Sequence, residues 1–405
     1  MWCAVSRPVL RVLAVVVAAA LLVAAAWRLN AARSADPEVA GAPAAPTGPP
    51  SERPVPAPAA SPGPADGPLP AACAALSLER RAALTLVVGM PDVTDPDDPL
   101  VGELVDLGVG GVFLTGYNTE SAGQVRALTE RLRSGEGPAP LIATDEEWGR
   151  VSSFRDLFGA TSSPRTLAAT RSPTQVRAAA RDLGAALADL GVDWNFAPVA
   201  DVDGGPAGGV IGDRAFSAEP RAAGDYARAF ARGLDSAGVI PTVKHFPGHG
   251  AVPEDVDPHA RTVESDVSPA DLRAGHLPPF ERLIADDVAV VMLGHVAYTA
   301  LDDLPASMSP RAYSLLRDLG FDGVAITDSI GMGAVHRRWD FPQATVRALR
   351  AGADAVLATD GNQATRMRDR IVTAVRTGRL DERRLDEAAA RMLALGDRAG
   401  ACARR

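Results

Sequence analysis

Eight short apolar runs, separated by amphipathic stretches, repeat along the chain between residues 84 and 360. The runs lie at 84–90, 110–116, 139–145, 192–199, 239–246, 288–295, 322–328 and 353–360. The stretches between them, such as 174–191, 221–238 and 366–378, carry apolar residues at three- and four-residue spacing, which is typical of helices. This alternation predicts an α/β fold, a TIM-type (β/α)8 barrel in a single domain. A doubly wound open sheet is the alternative, but no Gly-rich dinucleotide turn follows the first run.

Polar residues cluster just after the predicted strands. They are Asp145, Asn195, Lys244, His245, His295, Asp328 and Asp360. In a barrel the carboxyl ends of the strands open on one face, where active sites lie. We therefore expect these side chains to meet at a common mouth.

The N-terminal region is typical of an exported protein. Arg7 and Arg11 precede an apolar run at 12–27, which is short for a membrane span and suits the core of a signal peptide. Residues 1–30 are therefore predicted to be a signal peptide. Arg28 leaves no clean cleavage site, so the alternative is a signal anchor that holds the protein in the membrane through residues 12–27. Either way we expect an extracellular or cell-envelope location.

Residues 31–72 are rich in Ala, Pro, Gly and Ser without apolar periodicity, which predicts a disordered linker before a domain at 73–405. Removal of the leader would leave two cysteines, Cys73 and Cys402. An even number in an exported protein predicts a disulfide between them. Two unpaired thiols are the alternative.

The net charge of −9 argues against a nucleic-acid surface, which needs a basic excess. The basic residues number 41, and only one of them, Lys244, is a lysine. The segment around it, VKHFPGHGAVPEDVDPHA (243–260), holds three of the six histidines, and its Gly and Pro residues predict a loop. Zinc binding by His245, His249 and His259 is one interpretation, and hydrogen bonding within the loop is another. A third is acid–base catalysis, because Asp257 would fix the tautomer of His259 and raise its basicity.

Three further segments carry chemistry. Asp328, in GFDGVAITDSIGMGAV (320–335), ends a strand before a Gly-rich turn, so it is either a nucleophile or the N-cap of the next helix. The acidic residues of LIATDEEWGRV (141–151) could bind magnesium or sugar hydroxyls. Arg214, in GGVIGDRAF (208–216), is either a substrate clamp or a salt-bridge partner within its loop.

Together these motifs resemble a known family. The strings KHFPGHG with a following Asp-x-His, ITDSIGMGA, DEEWGRV, NFAPVADV, IGDRAF and VMLGHVAYTALDDLPASMSP stand in the order found in glycoside hydrolase family 3 β-N-acetylhexosaminidases. The resemblance covers residues 75–398. It implies a TIM barrel that acts on terminal β-N-acetylglucosamine, and export fits cell-wall glycans or muropeptides as substrates. We further expect a monomer without metal or cofactor.

The resemblance also implies roles for individual residues. Asp328 would be the nucleophile of two-step retaining hydrolysis, and His259, oriented by Asp257, would be the general acid and then the general base. The sugar would be bound by Asp145, Arg214, Lys244 and His245.

The chain departs from the family pattern at several positions. Trp148 stands where the family usually has Gly, so we expect its ring to narrow or re-floor the pocket. Ser153 replaces a frequent Arg, and the gap before Asp-x-His is about two residues longer than usual, which makes Asp255 a competing partner for His259. The alternatives are a β-glucosidase or phosphorolytic enzyme on the same fold, and a non-catalytic envelope glycan-binding protein.

Overall fold

The structure of the protein is a computed structural model that describes residues 76–252 and 260–399. The predicted signal segment 1–30, the linker 31–72, the pair Cys73 and Cys402, and the residues Asp255, Asp257 and His259 lie outside the described residues. Within the described ranges, no helix has the length and apolar character needed to cross a membrane.

The strands follow the eight predicted runs, with two small two-stranded sheets added. In chain order they are β1 Leu86–Gly89, β2 Gly111–Leu114, β3 Leu141–Thr144, β4 Glu146–Trp148, β5 Val151–Ser152, β6 Trp194–Asn195, β7 Ile240–Phe246, β8 Val263–Ser265, β9 Val290–Leu293, β10 Val296–Tyr298, β11 Val324–Thr327 and β12 Val356–Ala358. Strands β4 and β5 form one small sheet and β8 and β10 the other.

The remaining eight strands form one parallel sheet in the order β11-β9-β7-β6-β3-β2-β1-β12. A parallel bridge between Ile326 and Ala355 joins its two edges. The sheet therefore curls into a barrel whose strands follow one another around the circle in sequence order. The predicted TIM-type (β/α)8 barrel in a single domain is confirmed.

The helices surround this barrel. In chain order they are α1 Leu78–Leu84, α2 Pro99–Leu107, α3 Ala122–Leu132, α4 Arg155–Phe158, α5 Pro164–Thr170, α6 Pro173–Asp189, α7 Pro220–Asp235, α8 Pro269–Asp271, α9 Pro278–Ile284, α10 Pro310–Asp318, α11 Gly333–His336, α12 Phe341–Ala351, α13 Ala364–Arg376 and α14 Glu382–Arg398. The predicted helices at 174–191, 221–238 and 366–378 correspond to α6, α7 and α13, with slightly different ends.

Several helices begin at a polar residue followed by proline. Asp98, Ser163, Ser172 and Ser309 each accept a backbone N–H from the first turn of α2, α5, α6 and α10, and proline comes next. The side-chain oxygen satisfies a free N–H group, and proline has no N–H to leave unpaired. These dipeptides fix where the chain leaves a loop and enters a helix.

Helix α14 closes the amino end of the barrel. Its Met392 and Leu395 belong to the same buried cluster as the inward-facing strand residues Phe113, Trp194 and Ile326. Arg391 of the same helix donates to the carbonyl of Asp322, which precedes β11. The opposite, carboxyl end is therefore the end at which a site can open.

A buried ion cluster holds the amino end together. The fully buried Asp354, just before β12, accepts from Arg317 at 2.6 Å and from Arg391 at 3.0 Å, and also from Arg384. These arginines come from α10 and α14, so one carboxylate ties two helices to the barrel. The arginines hold the pKa of Asp354 below its ordinary value, although burial opposes this shift.

Candidate active site

The carboxyl end of the barrel collects a network of charged side chains. Lys244 Nζ lies 2.5 Å from Asp145 Oδ1 and 2.5 Å from Glu147 Oε1. Arg214 contacts both carboxylate oxygens of Glu147, at 2.8 and 2.9 Å, and its Nη2 lies 3.5 Å from His245 Nε2. The four predicted sugar-binding residues are thus brought into one connected site.

Two of the polar residues that follow strands have structural duties instead. Asn195 is buried and pairs with the backbone of Glu146, accepting its N–H and donating to its carbonyl, both at 2.9 Å. Asp360 caps the short turn Gly361–Gln363 by accepting the N–H of Asn362. Position after a strand therefore identified more residues than the site contains.

Lys244 and His245 both reach the network although they are consecutive in β7. Successive side chains of a regular strand point to opposite faces. Here the pairing of β7 with β9 shifts register between Lys244 and Phe246. One strand end therefore supplies two neighbouring groups to the site.

The three acidic residues after β3 separate into different environments. The side chain of Asp145 is 29% exposed. The side chain of Glu147 is only 1% exposed and is covered by its contacts with Lys244 and Arg214. Glu146 turns away and accepts the N–H of Phe154 at 3.1 Å. Only Asp145 is placed to touch a ligand, which excludes a shared magnesium site for the three.

Arg214 is held rigidly by Glu147. The two-point pairing of a guanidinium with a carboxylate fixes the plane and direction of the side chain. Burial opposes the charge of Glu147, but Arg214 and Lys244 hold its pKa well below the ordinary value. Arg214 thus forms a salt bridge, but with Glu147 of a distant segment and not within its own loop, and this bridge orients Arg214 toward His245. Glu147 was not singled out from the sequence.

Asp201 is the second supporting carboxylate that the sequence analysis missed. It is fully buried, and its Oδ2 lies 2.7 Å from His245 Nδ1 while its Oδ1 accepts the N–H of His249 at 2.6 Å. Burial disfavours its charge, yet His245 and His249 lower the pKa of Asp201 below the ordinary value. Its only sequence signal was its place within the NFAPVADV string.

Asp328 follows β11 and is not a helix cap. Helix α11 starts at Gly333, and its N-cap position is Met332, without a side-chain cap. Asp328 Oδ1 accepts the N–H of Ser329 at 2.7 Å. Burial disfavours the carboxylate, but His295, His245, the Ser329 N–H and Lys244 together lower its pKa to about 2. Asp328 is therefore ionised at neutral pH, as a nucleophile must be.

His295 supports the segment that carries Asp328. It is buried, its Nδ1 lies 2.7 Å from Ser307 Oγ, and its Nε2 lies 2.7 Å from the Ser329 carbonyl oxygen. Because a carbonyl only accepts, Nε2 carries a hydrogen and donates to it. The ring thus fixes the peptide next to Asp328.

The ring of Trp148 does not narrow the site. It is buried in the main core and packs edge-on against Phe230 of α7, with 4.6 Å between ring centroids. The expectation of a narrowed or re-floored pocket is wrong, because the ring lies in this core; the backbone of Trp148 is left-handed, with φ 70°. Ser153 Oγ donates to the carbonyl of Asp145 at 2.9 Å, so Ser153 supports the segment that carries Asp145.

The loop predicted to carry the acid–base pair is described only up to its start. Its first turn, His249–Ala251, follows Gly248, whose carbonyl accepts from Tyr298 Oη at 2.7 Å. Burial and the neighbouring His245 lower the pKa of His249 to about 4, so its ring is neutral at neutral pH. Within 76–252 and 260–399, no group of three His, Cys, Asp or Glu side chains is placed to hold a metal ion.

The fold and the site together define a barrel enzyme with a carboxylate nucleophile candidate and a charged pocket. The model of the "Glycosyl hydrolase family 3 N terminal domain" matches residues 82–395. The chain belongs to glycosyl hydrolase family 3 and is a glycoside hydrolase, which confirms the resemblance seen in the sequence.

Individual relatives agree with this assignment. "Beta-hexosaminidase LpqI" of Mycobacterium tuberculosis is 38% identical over 329 residues, which cover 79% of this chain and 82% of LpqI. A family 3 glycosyl hydrolase of Mycobacterium smegmatis is 36% identical with a TM-score of 0.74, covering 79% of this chain and 97% of that one. A family 3 β-N-acetylglucosaminidase of Paenibacillus is 30% identical with a TM-score of 0.76, covering 81% and 63% respectively.

Proposed function

We propose that the protein is a retaining β-N-acetylglucosaminidase that removes terminal, non-reducing β-N-acetylglucosamine from cell-wall glycans or muropeptides. The observation that carries this proposal is Asp328, an ionised carboxylate at the end of β11 whose pKa is lowered in part by His245 and Lys244. The names of the hexosaminidase relatives support the choice of sugar.

In the first step Asp328 attacks the anomeric carbon while the bond to the leaving oxygen breaks. The aglycone oxygen takes its proton from His259, which Asp257 orients. The products are the free aglycone alcohol and a glycosyl ester of Asp328. The roles of Asp257 and His259 rest on the sequence resemblance.

In the second step water attacks the same carbon and gives its proton to His259. The ester bond breaks and Asp328 is released as a carboxylate. Two displacements at one carbon restore the β-configuration, so the first product formed is the β-anomer.

The network around Lys244 holds the sugar during both steps. Lys244 and Arg214 are pure hydrogen-bond donors, whereas Asp145 Oδ1 is an acceptor and already accepts from Lys244 Nζ. Sugar hydroxyls both donate and accept, so these donors and this acceptor together can hydrogen-bond to neighbouring hydroxyls. Because the buried Glu147 contacts both Arg214 and Lys244, these donors are oriented before the sugar arrives.

The N-terminal segments fit an envelope substrate. Residues 1–30 would direct export, 31–72 would act as a tether, and a Cys73–Cys402 disulfide would join the two ends of the domain. Export would bring the enzyme to cell-wall glycans.

A panel of aryl glycosides tests the proposal. Purified protein should release chromophore from the N-acetyl-β-glucosaminide far faster than from the β-glucoside, and proton NMR should show the β-anomer first. Faster cleavage of the β-glucoside would make it a β-glucosidase. Formation of sugar 1-phosphate in phosphate buffer would make it a phosphorolytic enzyme, and sugar binding without cleavage would make it a glycan-binding protein.

A further inference from the structure

We propose that Asp201 is a positioning residue that fixes His245 as the Nδ1–H tautomer, so that His245 Nε2 is a hydrogen-bond acceptor for a substrate hydroxyl. The hydrogen on Nδ1 follows from the contact with Asp201. The consequence for substrate rests on the proposed function.

The contacts of Asp201 determine which nitrogen carries the hydrogen. Its carboxylate is 2.7 Å from His245 Nδ1 and also accepts the backbone N–H groups of His245 and His249. An ionised carboxylate has no hydrogen to give, so Nδ1 must donate. In the neutral ring, Nε2 is then left with a lone pair.

The other side of the ring points to the same tautomer. Arg214 Nη2 lies 3.5 Å from Nε2, and a guanidinium can only donate. A hydrogen on Nε2 would face this donor, whereas a lone pair is compatible with it. Two independent neighbours, Asp201 and Arg214, therefore favour one protonation pattern.

This protonation pattern gives His245 a role in sugar binding. Lys244 and Arg214 supply donors, and Asp145 is another acceptor that is partly exposed. With Nε2 as a further acceptor, a sugar hydroxyl that donates to His245 can at the same time accept from a cation. Asp201 also accepts the N–H of His249, the first residue of the turn His249–Ala251.

The substitution Asp201→Asn isolates this role. The amide keeps the shape but turns one acceptor into an NH2 donor. If the new NH2 group faced the N–H of His249, two donors would meet, and a backbone N–H cannot become an acceptor. If the NH2 group faces His245 Nδ1, the ring can move its hydrogen to Nε2, and Nδ1 then accepts. We therefore expect the Asp201→Asn substitution to convert His245 to the other tautomer and to set Nε2–H against Arg214.

The measurement is two-dimensional NMR of the full chain labelled with 15N in the histidine rings, with His245 assigned through His245→Gln. The wild type should show the Nδ1–H pattern and Asp201→Asn the Nε2–H pattern. Asp203→Asn is the matched control, because the Asp203 carboxylate accepts the backbone N–H groups of Gly205 and Gly212 instead. It should leave the His245 pattern unchanged.

Kinetics provide the second readout. Loss of the partner that orients a metal-ligating histidine typically costs about 10- to 100-fold. By analogy, we expect a fall of that size in kcat/KM on the aryl N-acetyl-β-glucosaminide for Asp201→Asn. An Nε2–H signal in the wild type, or an unchanged tautomer in Asp201→Asn, overturns the proposal. A wild type with the expected tautomer but no hydrolysis overturns the proposed function and leaves the tautomer assignment standing.

Discussion

Lys244 Nζ and Asp145 Oδ1 are separated by 2.5 Å, and the lysine that makes this contact is 3% exposed. Burial disfavours the ammonium, but Asp145 and Glu147 raise the pKa of Lys244 above its ordinary value, so the charge is retained. Lys244 is thus a buried cation between two carboxylates. It fixes the direction of the Asp145 side chain, which stays partly exposed.

Replacing Lys244 tests this arrangement. Lys244→Met removes the cation that Asp145 faces, and Lys244→Arg keeps the charge but brings a larger, planar group. We expect both variants to lower kcat/KM on the aryl N-acetyl-β-glucosaminide by about 10-fold or more, since a hydrogen bond to a charged group contributes about 1.5–3 kcal/mol. Steady-state kinetics measure the effect. Full activity in Lys244→Arg would show that charge alone suffices.

His295→Gln should alter the pH dependence. The His295 ring is the largest influence that lowers the pKa of Asp328, against the effect of burial. Without the ring, the Asp328 pKa rises toward its ordinary value, so more of the nucleophile is protonated at a given acidic pH. The acid limb of kcat/KM should therefore begin at higher pH in the variant.

Ser307→Ala is the control for that experiment. It removes the hydrogen-bond partner of His295 Nδ1 but keeps the ring beside Asp328. The acid limb should move less than in His295→Gln. Identical acid limbs for the wild type and His295→Gln would contradict the assigned influence of His295.

Trp148 gives an unusual stability prediction. Its backbone has φ 70°, where glycine is unstrained and alanine is not, while its ring packs on Phe230. Trp148→Gly and Trp148→Ala should each lose about 3–5 kcal/mol of unfolding free energy with the ring. The glycine variant should nevertheless be more stable than the alanine variant by about 1 kcal/mol or more. Urea unfolding measures both, and a more stable alanine variant would contradict the backbone explanation.

Asp354→Asn should destabilise the barrel without touching the pocket. Removal of one partner of a buried ion pair costs about 3–5 kcal/mol, and Asp354 serves three arginines. Because the pKa of folded Asp354 is depressed, its stabilisation is present above the unfolded pKa of about 3.9 and is lost as pH falls through the folded value.

The difference in unfolding free energy between wild type and Asp354→Asn should accordingly shrink in acid. Asp182→Asn, at an exposed ion pair with Arg181, is the control and should change stability little at any pH. A difference that stays constant from neutral pH into acid would contradict the assigned ionisation.

The barrel was predictable because each strand and helix leaves a periodic signal of its own. The ends of β1–β3 and of α6 and α7 differ from the predicted ones by a few residues. Sugar-binding candidates such as Lys244 were found because they follow strands or stand in family strings. These signals are local, and a single sequence contains them.

What the sequence did not reveal depends on contacts between distant segments. Asp201 lies beyond the end of β6 and acts on His245, 44 positions later. Glu147 looked equivalent to Asp145 and Glu146, yet only the packed structure separates the three. The position of the Trp148 ring was predicted wrongly because its contact with Phe230, 82 positions later, is not visible in the sequence.

The proposed mechanism requires that Asp328 forms the glycosyl ester, and the substitution Asp328→Ala removes the carboxylate that would form it. Asp360→Asn is the matched control, because Asp360 also follows a strand but caps a turn, which asparagine does equally well. We expect Asp328→Ala to lower kcat on the aryl N-acetyl-β-glucosaminide by about 10⁴-fold or more, as loss of a nucleophile does, while the control keeps its rate. Undiminished turnover by Asp328→Ala would show that Asp328 is not the nucleophile.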